Sequence, residues 1–235
     1  HRMLVLSATY AQASGENVQY PVSSVQSSKV SARGGSKLNT ENLSPNSAVP
    51  ENRLLSHFNR RRLSAEEIRD TMLAVAGRLN LRTGGPSVMV PVDAALVKLL
   101  YKPAQWRPAT DVSEHDRRSL YLLAKRNLRL PFMEAFDAPA LQTTCARRES
   151  STHAPQALEL LNGRLSNELA GAFARRLETE CGTDRDRIVD RAYLLATGRA
   201  PVPTERKLTL AFLREEPLRE FALTMFNLNA FLYVP

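Results

Sequence analysis

Signals that begin and end α-helices recur along this chain and restrict it to a mainly α-helical fold. The clearest helix begins at Ser64, which forms a capping box with Glu67. Its apolar residues follow at a spacing that places them on one face, and we expect the helix to end at residues 83–86, which read TGGP. The apolar face comprises Ile68, Met72, Val75, Ala76 and Leu79.

The second half of the chain carries the same kinds of signal in quick succession. A proline favours the first turn of a helix, a hydroxyl or carboxylate caps its amide groups, and a glycine ends it. We therefore predict consecutive helices after residue 150, the last with one apolar face. The signals are Pro155, Thr183 or Asp184, Gly198, Thr204 and Pro217, and the last apolar face comprises Leu218, Phe221, Ala222, Met225 and Leu228.

The segment between these helical regions is irregular. Prolines interrupt residues 86–118 and leave room for one short helix, over residues 93–101. Residues 117–128, RRSLYLLAKRNL, form a short apolar run between basic residues, which fits a buried strand better than a helix. The predicted fold is therefore mainly α, an irregular helical domain with a short strand element near residue 120.

A Ser-rich stretch determines the predicted domain organisation. Residues 13–50 contain nine serines and few large apolar side chains, too few to offset the entropy of ordering the chain. We predict a long disordered insertion there, preceded by the end of an N-terminal helix over residues 1–12. A mainly helical domain follows over residues 51–235.

The charge of the chain suggests two roles for its arginines. The formal net charge is +8, and arginine outnumbers lysine 26 to 6. Arg60, Arg61 and Arg62 form a candidate basic patch that could bind acidic polysaccharide, whereas nucleic acid is disfavoured because no recognition motif or aromatic interleaving accompanies the charge. Arginine also serves as an internal fork that binds backbone carbonyls and carboxylates.

Cysteine and histidine are scarce, which limits metal and disulfide chemistry. Cys145 and Cys181 are too few for a disulfide framework or a paired-cysteine zinc site, and whether they form one disulfide stays open. His57 and His115 have no companion at metal-ligand spacing, so we expect no metal site. No apolar run approaches the ~20 residues that cross a bilayer, so no membrane span is expected in this chain.

A polar cluster precedes a helix start in CARRESSTHAPQALELLN, residues 145–162. On a structural interpretation, its hydroxyls cap the helix and its arginines pair with Asp137 or Glu134. On a functional interpretation, the same groups form a pocket for a sulfate, phosphate or carboxylate. The candidate pocket comprises Asp137, Arg147, Arg148, Ser151 and Thr152.

Two catalytic alternatives start from the same region. Cys145 could act as a nucleophile with His153 as its base, although no protease signature surrounds the cysteine. Glu134 and Asp137 are three residues apart on a helical turn, and a carboxylate pair is what glycoside hydrolysis uses. Catalytic carboxylates usually face each other across a cleft from different elements, so the spacing favours a structural role.

Four blocks of the chain, in order, carry a family resemblance: NRLLSHFNRRRLSAEEIRDTMLAVAGRLNLRTGGPS, RRSLYLLAKRNLRLPFMEAFDAP, CARRESSTHAPQALELLN and FNLNAFLYVP. They resemble the planctomycete-specific domain of unknown function that lies C-terminal to planctomycete-type cytochrome c domains. Two residues depart from the family pattern: Ala11 stands where arginine is usual, and Ala230 where the closing motif has glutamate. We expect the opening helices of the family domain to lie upstream of His1.

The resemblance implies an exported bacterial multi-domain protein of the periplasm or cell envelope. A neighbouring domain could bind a c-type haem, whereas this chain has no C-x-x-C-H motif and is expected to hold no cofactor. We therefore expect a scaffold or partner-binding module, with other domains of the same protein or envelope proteins as partners. The alternatives are a hydrolase or redox-coupled enzyme acting on polysaccharide and a polyanion-binding module, and the sequence leaves open whether the chain is an enzyme.

Overall fold

The computed structural model describes residues 60–234, of which residues 62–233 form one compact unit. The predictions for residues 1–12 and 13–50, and the assignment of His57, lie outside the described residues. Two short strands, β1 (Arg61–Arg62) and β2 (Tyr233–Val234), pair with each other. The amide of Leu63 then donates to the carbonyl of Leu232 at 2.8 Å, which ties the two ends of the helical unit together.

Ten α-helices occupy most of residues 60–234, so the prediction of a mainly α fold is confirmed. The helices are α1 (Ala65–Val75), α2 (Ala94–Lys98), α3 (Val112–His115), α4 (Pro131–Ala135), α5 (Ala154–Asn162), α6 (Arg164–Cys181), α7 (Arg185–Thr197), α8 (Pro203–Glu215), α9 (Leu218–Phe226) and α10 (Asn229–Leu232). None of them is long and apolar enough to cross a membrane.

Helix α1 begins as the capping box predicts but ends early. The amide of Ser64 donates to the Glu67 carboxylate at 2.7 Å, and the amide of Glu67 donates to the Ser64 hydroxyl at 3.3 Å. The expected end at residues 83–86 is wrong, because the helix stops at Val75. Gly77 adopts a left-handed conformation with φ of 72°, which glycine takes at little cost and which reverses the chain.

Four of the predicted signals in the second half are confirmed, and the cap at Thr204 is not; Pro155 lies in the first turn of α5 and Pro217 precedes α9. Asp184 caps α7 by accepting from the amide of Arg187 at 3.2 Å, and Gly198 ends that helix with φ of 73°. Thr204 was expected to cap the next helix, but α8 already begins at Pro203. There the Glu205 carboxylate accepts from the amide of Val202 at 2.8 Å, so the first turn is closed without the threonine hydroxyl.

The core of the unit forms around α6, an 18-residue helix that contacts α1, α5, α7 and α9. Its residues Leu169, Phe173 and Leu177 have no solvent exposure. The Phe173 ring stacks on Phe226 with centroids 5.9 Å apart, and Phe226 packs on Phe231 at 5.3 Å. Burial of these rings contributes to the stability of the helical unit.

The buried strand predicted near residue 120 is replaced by a 3₁₀ turn, Ser119–Tyr121, and a single bridge between Val88 and Leu122. Leu120 is 74% exposed and Leu128 is 6% exposed, so the predicted buried strand is wrong and the run is buried only in part. The physical reason is that two polar side chains that precede Leu120 turn inward. Arg117 and Ser119 are both buried and bind groups of the interior, which leaves Leu120 facing solvent.

The irregular segment after residue 86 builds a second, small apolar cluster. Helix α2 lies inside the predicted range 93–101, and Asp93 caps it by accepting from the amide of Ala95 at 2.7 Å. Leu100, Trp106 and Leu128 are buried against each other. The Trp106 indole N–H donates to the carbonyl of Val90 at 3.1 Å, which fixes the ring within the loop.

Candidate functional site

The predicted polar cluster is organised by Asp137, which follows α4. Asp137 has φ of 62°, a left-handed conformation that aspartate adopts more readily than most residues. The turn directs its carboxylate toward the segment that precedes α5. Asp137 is therefore placed by its backbone conformation, and it is 17% exposed at the side chain.

Four donors converge on the Asp137 carboxylate, and we call Arg62, Asp137, Ser151 and Gln156 the Asp137 cluster. The Oδ2 atom accepts from Arg62 Nη2 at 2.7 Å, from the Ser151 amide at 2.9 Å and from Gln156 Nε2 at 3.4 Å. The Oδ1 atom accepts from the Ser151 hydroxyl at 2.7 Å. The carboxylate is thus fully occupied by groups of the chain itself.

The other atoms of the cluster are also engaged internally. Arg62 donates to the carbonyls of Ser151 and Phe136 as well as to Asp137, and its side chain is 5% exposed. Gln156 is buried and donates to the Ser151 carbonyl at 3.2 Å. The cluster joins the strand before α1, the turn after α4 and the start of α5.

The electrostatics of the cluster oppose acid–base chemistry at neutral pH. Burial raises the pKa of Asp137, but the Ser151 amide and hydroxyl and the Arg62 guanidinium outweigh that effect and hold the pKa at about 2. A general acid or base needs a pKa near the working pH. Asp137 is therefore a permanent anion that stabilises three chain segments.

The arginines of the predicted pocket do not reach Asp137. Arg148 Nη1 binds the Glu66 carboxylate at 2.8 Å, on the first turn of α1. Arg147 is exposed and has no hydrogen bond or ion pair from its side chain within residues 60–234. The prediction that Arg147 and Arg148 pair with Asp137 or Glu134 is wrong, because Arg62 occupies the first carboxylate and Arg129 binds the second at 2.6 Å.

The hydroxyls of the predicted pocket do not cap α5. The cap position is His153, which makes no side-chain bond to the helix. Ser151 turns away to Asp137, and the Thr152 hydroxyl lies 3.2 Å from the Tyr233 hydroxyl. The expected capping role of Ser151 and Thr152 is therefore wrong, and Pro155 in the first turn starts the helix without it.

The candidate basic patch is divided between the surface and the interior. Arg60 and Arg61 are exposed, whereas the side chain of Arg62 lies inside the Asp137 cluster. Arg62 therefore cannot take part in a solvent-facing patch, which corrects the sequence-based assignment for that residue. Its spacing from Asp137, 75 residues along the chain, leaves no local signal from which the pairing could have been read.

Cys145 and His153 do not form a nucleophile and base pair in the structure. Cys145 is exposed and free, and its thiol donates to the carbonyl of Arg147 at 3.3 Å. His153 makes no hydrogen bond to it. Cys181 is buried at the end of α6 and is also free, which answers the question of the disulfide that the sequence left open.

Thiol labelling checks this arrangement. We expect one cysteine per chain, Cys145, to react with a maleimide under native conditions, because Cys181 is 8% exposed. Both cysteines should react after unfolding in guanidinium chloride. Mass spectrometry of the labelled peptides distinguishes the two sites. Absence of native labelling, with two thiols released by a reductant, would instead reveal a disulfide.

A second polar cluster, which the sequence did not predict, joins α1 to residues 117–119. Asp70 accepts from the amide and the hydroxyl of Ser119, both at 2.7 Å, as Asp137 does from Ser151. Arg69 donates to the carbonyl of Arg117 at 2.9 Å and to the Ser119 hydroxyl at 3.2 Å. Arg69 shares the core-facing side of α1 with Ala65, and a charge at that position was the available signal.

A groove with an apolar floor lies between α1 and residues 122–148, with a volume of about 270 Å³. Two ion pairs border it, Arg148 with Glu66 and Arg129 with Glu134. Lys125 also lines the groove and has no ion pair within residues 60–234. The large apolar residues of the groove are Leu122, Leu123, Leu128, Leu130, Met133 and Leu141.

Comparison with known proteins gives a family but no characterised relative. Searches of the curated proteins and of the solved structures find no protein that matches this chain. A family model, PSD1, described as protein of unknown function (DUF1553), matches residues 1–213, most of the sequence. The chain therefore belongs to the PSD1 family of proteins of unknown function.

Proposed function

We propose that this domain is a non-catalytic scaffold or partner-binding module of an exported bacterial multi-domain protein in the cell envelope. The observation that carries the proposal is the internal saturation of the Asp137 cluster. Asp137 and Ser151 are the two groups of the predicted pocket from which a hydrolytic site could be built, and they are committed to bonds with each other and with Arg62. A substrate would have to break these bonds before it could meet a reactive group.

The proposed parent protein includes a cytochrome c domain, and this part of the proposal rests on the resemblance of the four sequence blocks. In that arrangement the haem belongs to the neighbouring domain. This chain offers neither the C-x-x-C-H motif nor, within residues 60–234, a group of three or more metal-ligating side chains. Its contribution is a surface for the neighbouring domain.

The groove between α1 and residues 122–148 is the surface that best suits a partner, and we assign it to an acidic, apolar segment of another domain of the same protein. Charge supports this occupant. The charged side chains that line the groove are Lys125, Arg129 and Arg148 against Glu66 and Glu134. The Lys125 ammonium at the groove, with Arg126 next to it in sequence, has no carboxylate partner in the described part of the chain.

Binding by this groove requires both its floor and its charge. The six apolar side chains would bury the apolar groups of the segment, which supplies most of the affinity, while Lys125 selects an acidic segment and sets its orientation. The Arg148–Glu66 ion pair joins residues 122–148 to α1 at one edge of the groove, and the Arg129–Glu134 pair lies within the segment that leads into α4. A neutral apolar segment would bind less tightly, and a basic one would be rejected.

The test uses the full chain and a synthetic peptide in which glutamate alternates with leucine and phenylalanine. We expect calorimetric binding of this peptide, and a loss of affinity of at least about fivefold for Lys125→Glu, since one unfavourable charge contact in the binding site is worth about 1 kcal/mol or more. Lys207→Glu, an equivalent change on the exposed surface of α8, is the matched control and should bind as the wild type does.

Three results would contradict the proposal. The first is equal binding of a peptide in which lysine replaces glutamate, which would remove the role of charge. The second is equal affinity of the Lys125→Glu and wild-type chains, which would place the partner elsewhere. The third is release of reducing ends from an oligosaccharide by the wild type and not by Asp137→Asn, which would establish a hydrolase in place of a scaffold.

A further inference from the structure

Two large apolar side chains stand almost fully in solvent at one place on the described surface. Tyr101 is 91% exposed and Leu99 is 82% exposed, the highest values among the large apolar residues within residues 60–234. They lie in the sequence KLLYK, residues 98–102, which we call the 98–102 tip. Single exposed apolar residues are ordinary on protein surfaces, but two at the end of one short loop are not.

The tip is held in place by the small apolar cluster beneath it. Leu100, between the two exposed residues, is 5% exposed, and Trp106 is 6% exposed. The amides of Leu99 and Leu100 donate to the carbonyls of Leu96 and Val97 at 3.2 and 3.1 Å. The loop is therefore pre-ordered, so that presenting Leu99 and Tyr101 to a partner costs little additional entropy.

The charge around the tip has one sign. Lys98 and Lys102 flank the two apolar residues, and Arg107 follows on the same loop. Residues 94–110 contain no acidic residue. The Lys102 ammonium lies 6.0 Å from the centre of the Tyr101 ring, so the cation and the aromatic side chain share one end of the loop.

We propose that the 98–102 tip inserts into an anionic lipid surface. Leucine enters the acyl boundary, tyrosine lies at the headgroup level with its hydroxyl in water, and the lysine stems extend back to the lipid phosphates. A membrane suits this shape better than a protein partner does. A stable protein interface takes about 800 Å² from each side, which two side chains on a narrow loop cannot supply, whereas a lipid surface accepts a small wedge reinforced by cations.

This inference is independent of the groove and does not need the proposed partner. The tip residues and the groove-lining side chains are different groups, and the charge of the tip comes from Lys98, Lys102 and Arg107. If the peptide does not bind the groove, the proposed membrane contact is unaffected. If the chain does not bind vesicles, the proposed peptide binding is unaffected. Each proposal therefore has its own set of variants.

The experiment is co-sedimentation of the full chain with vesicles of equal parts phosphatidylglycerol and phosphatidylcholine. We expect binding to these vesicles and much weaker binding to phosphatidylcholine alone. Leu99→Ser combined with Tyr101→Ser should weaken the partition more than about tenfold, because both wedge side chains are lost. Lys98→Gln combined with Lys102→Gln should remove most of the preference for the anionic lipid.

A matched control and a spectroscopic readout make the result specific. Leu158→Ser combined with Leu208→Ser removes two other exposed leucines, 55% and 67% exposed, on α5 and α8, and should bind as the wild type does. In Tyr101→Trp, the new indole should shift to shorter emission wavelength on anionic vesicles, while the sole native tryptophan, Trp106, is already buried. Equal vesicle binding by all variants would overturn the proposal, and so would an unchanged emission wavelength of Tyr101→Trp on anionic vesicles. Self-association of the chain through the tip in the absence of lipid would also overturn it.

Discussion

Replacing Arg117 by leucine is expected to lower the free energy of unfolding by about 3–4 kcal/mol. The Arg117 side chain is fully buried and donates to the carbonyls of Arg82, Gly84 and Pro86. Its guanidinium also lies 3.8 Å from the centre of the Tyr121 ring. Leucine fills part of the volume but satisfies none of these carbonyls, so the loop after α1 loses the group that holds it.

Denaturant unfolding measures the total loss, and amide hydrogen exchange locates it. Exchange should accelerate first at Asn80 and Val88, whose amides donate to the carbonyls of Asp116 and Tyr121 at 3.0 and 2.7 Å. Arg118→Leu is the matched control, because the neighbouring arginine is 57% exposed and its ion pair within residues 60–234 is a contact with Asp70 at 3.5 Å. It should change stability by less than about 1 kcal/mol. Equal effects of the two substitutions would show that burial of Arg117 contributes nothing specific.

Lysine at position 117 separates the role of charge from that of geometry. Its ammonium keeps the charge near Glu114, which Arg117 contacts at 3.3 Å, but it cannot donate in several fixed directions at once. We expect Arg117→Lys to be nearly as destabilising as Arg117→Leu. A stability close to that of the wild type would mean that the positive charge, and not the forked donor, stabilises the loop.

The sequence predicts the parts of this fold that depend on neighbouring residues. The capping box of Ser64 and Glu67, the cap at Asp184 and the stop at Gly198 are interactions within a few residues, and all are present. The apolar spacing continues to Leu79 and predicts an end at residues 83–86, whereas Gly77 ends the helix, since a glycine after an apolar face is a stop signal.

The candidate site could be located from the sequence but not assembled. The importance of Asp137 and Ser151 follows from a polar run before a helix, and the structure brings these two together. Their third partner, Arg62, lies 75 residues from Asp137, and a sequence with 26 arginines offers no local reason to select this one. Arg147 shows the opposite case. It lies inside the predicted cluster in the sequence, but its side chain is exposed in the structure.

The substitution Asp137→Asn is expected to lower the free energy of unfolding by about 2–3 kcal/mol at pH 7. Asparagine retains the size of the side chain and tolerates the left-handed backbone, so the change removes mainly the charge. It removes the ion pair between the Asp137 carboxylate and the Arg62 guanidinium, whose side chain is 5% exposed. Asp93→Asn, at the exposed cap of α2, should be nearly neutral because asparagine also caps helices.

The dependence on pH distinguishes loss of the anion from general damage to the fold. The pKa of Asp137 is about 2 in the folded chain and 3.8 ordinarily, so the unfolded state binds more protons between these values and stability falls as the pH decreases through that window. Allowing for partial solvent contact, this carboxylate contributes about 1–2 kcal/mol above pH 4. Other acids titrate equally in wild type and in Asp137→Asn. The difference in the free energy of unfolding between the two proteins should therefore narrow by that amount from pH 5 to pH 2. A difference that stays constant over this range would show that Asp137 does not stabilise the fold as an anion.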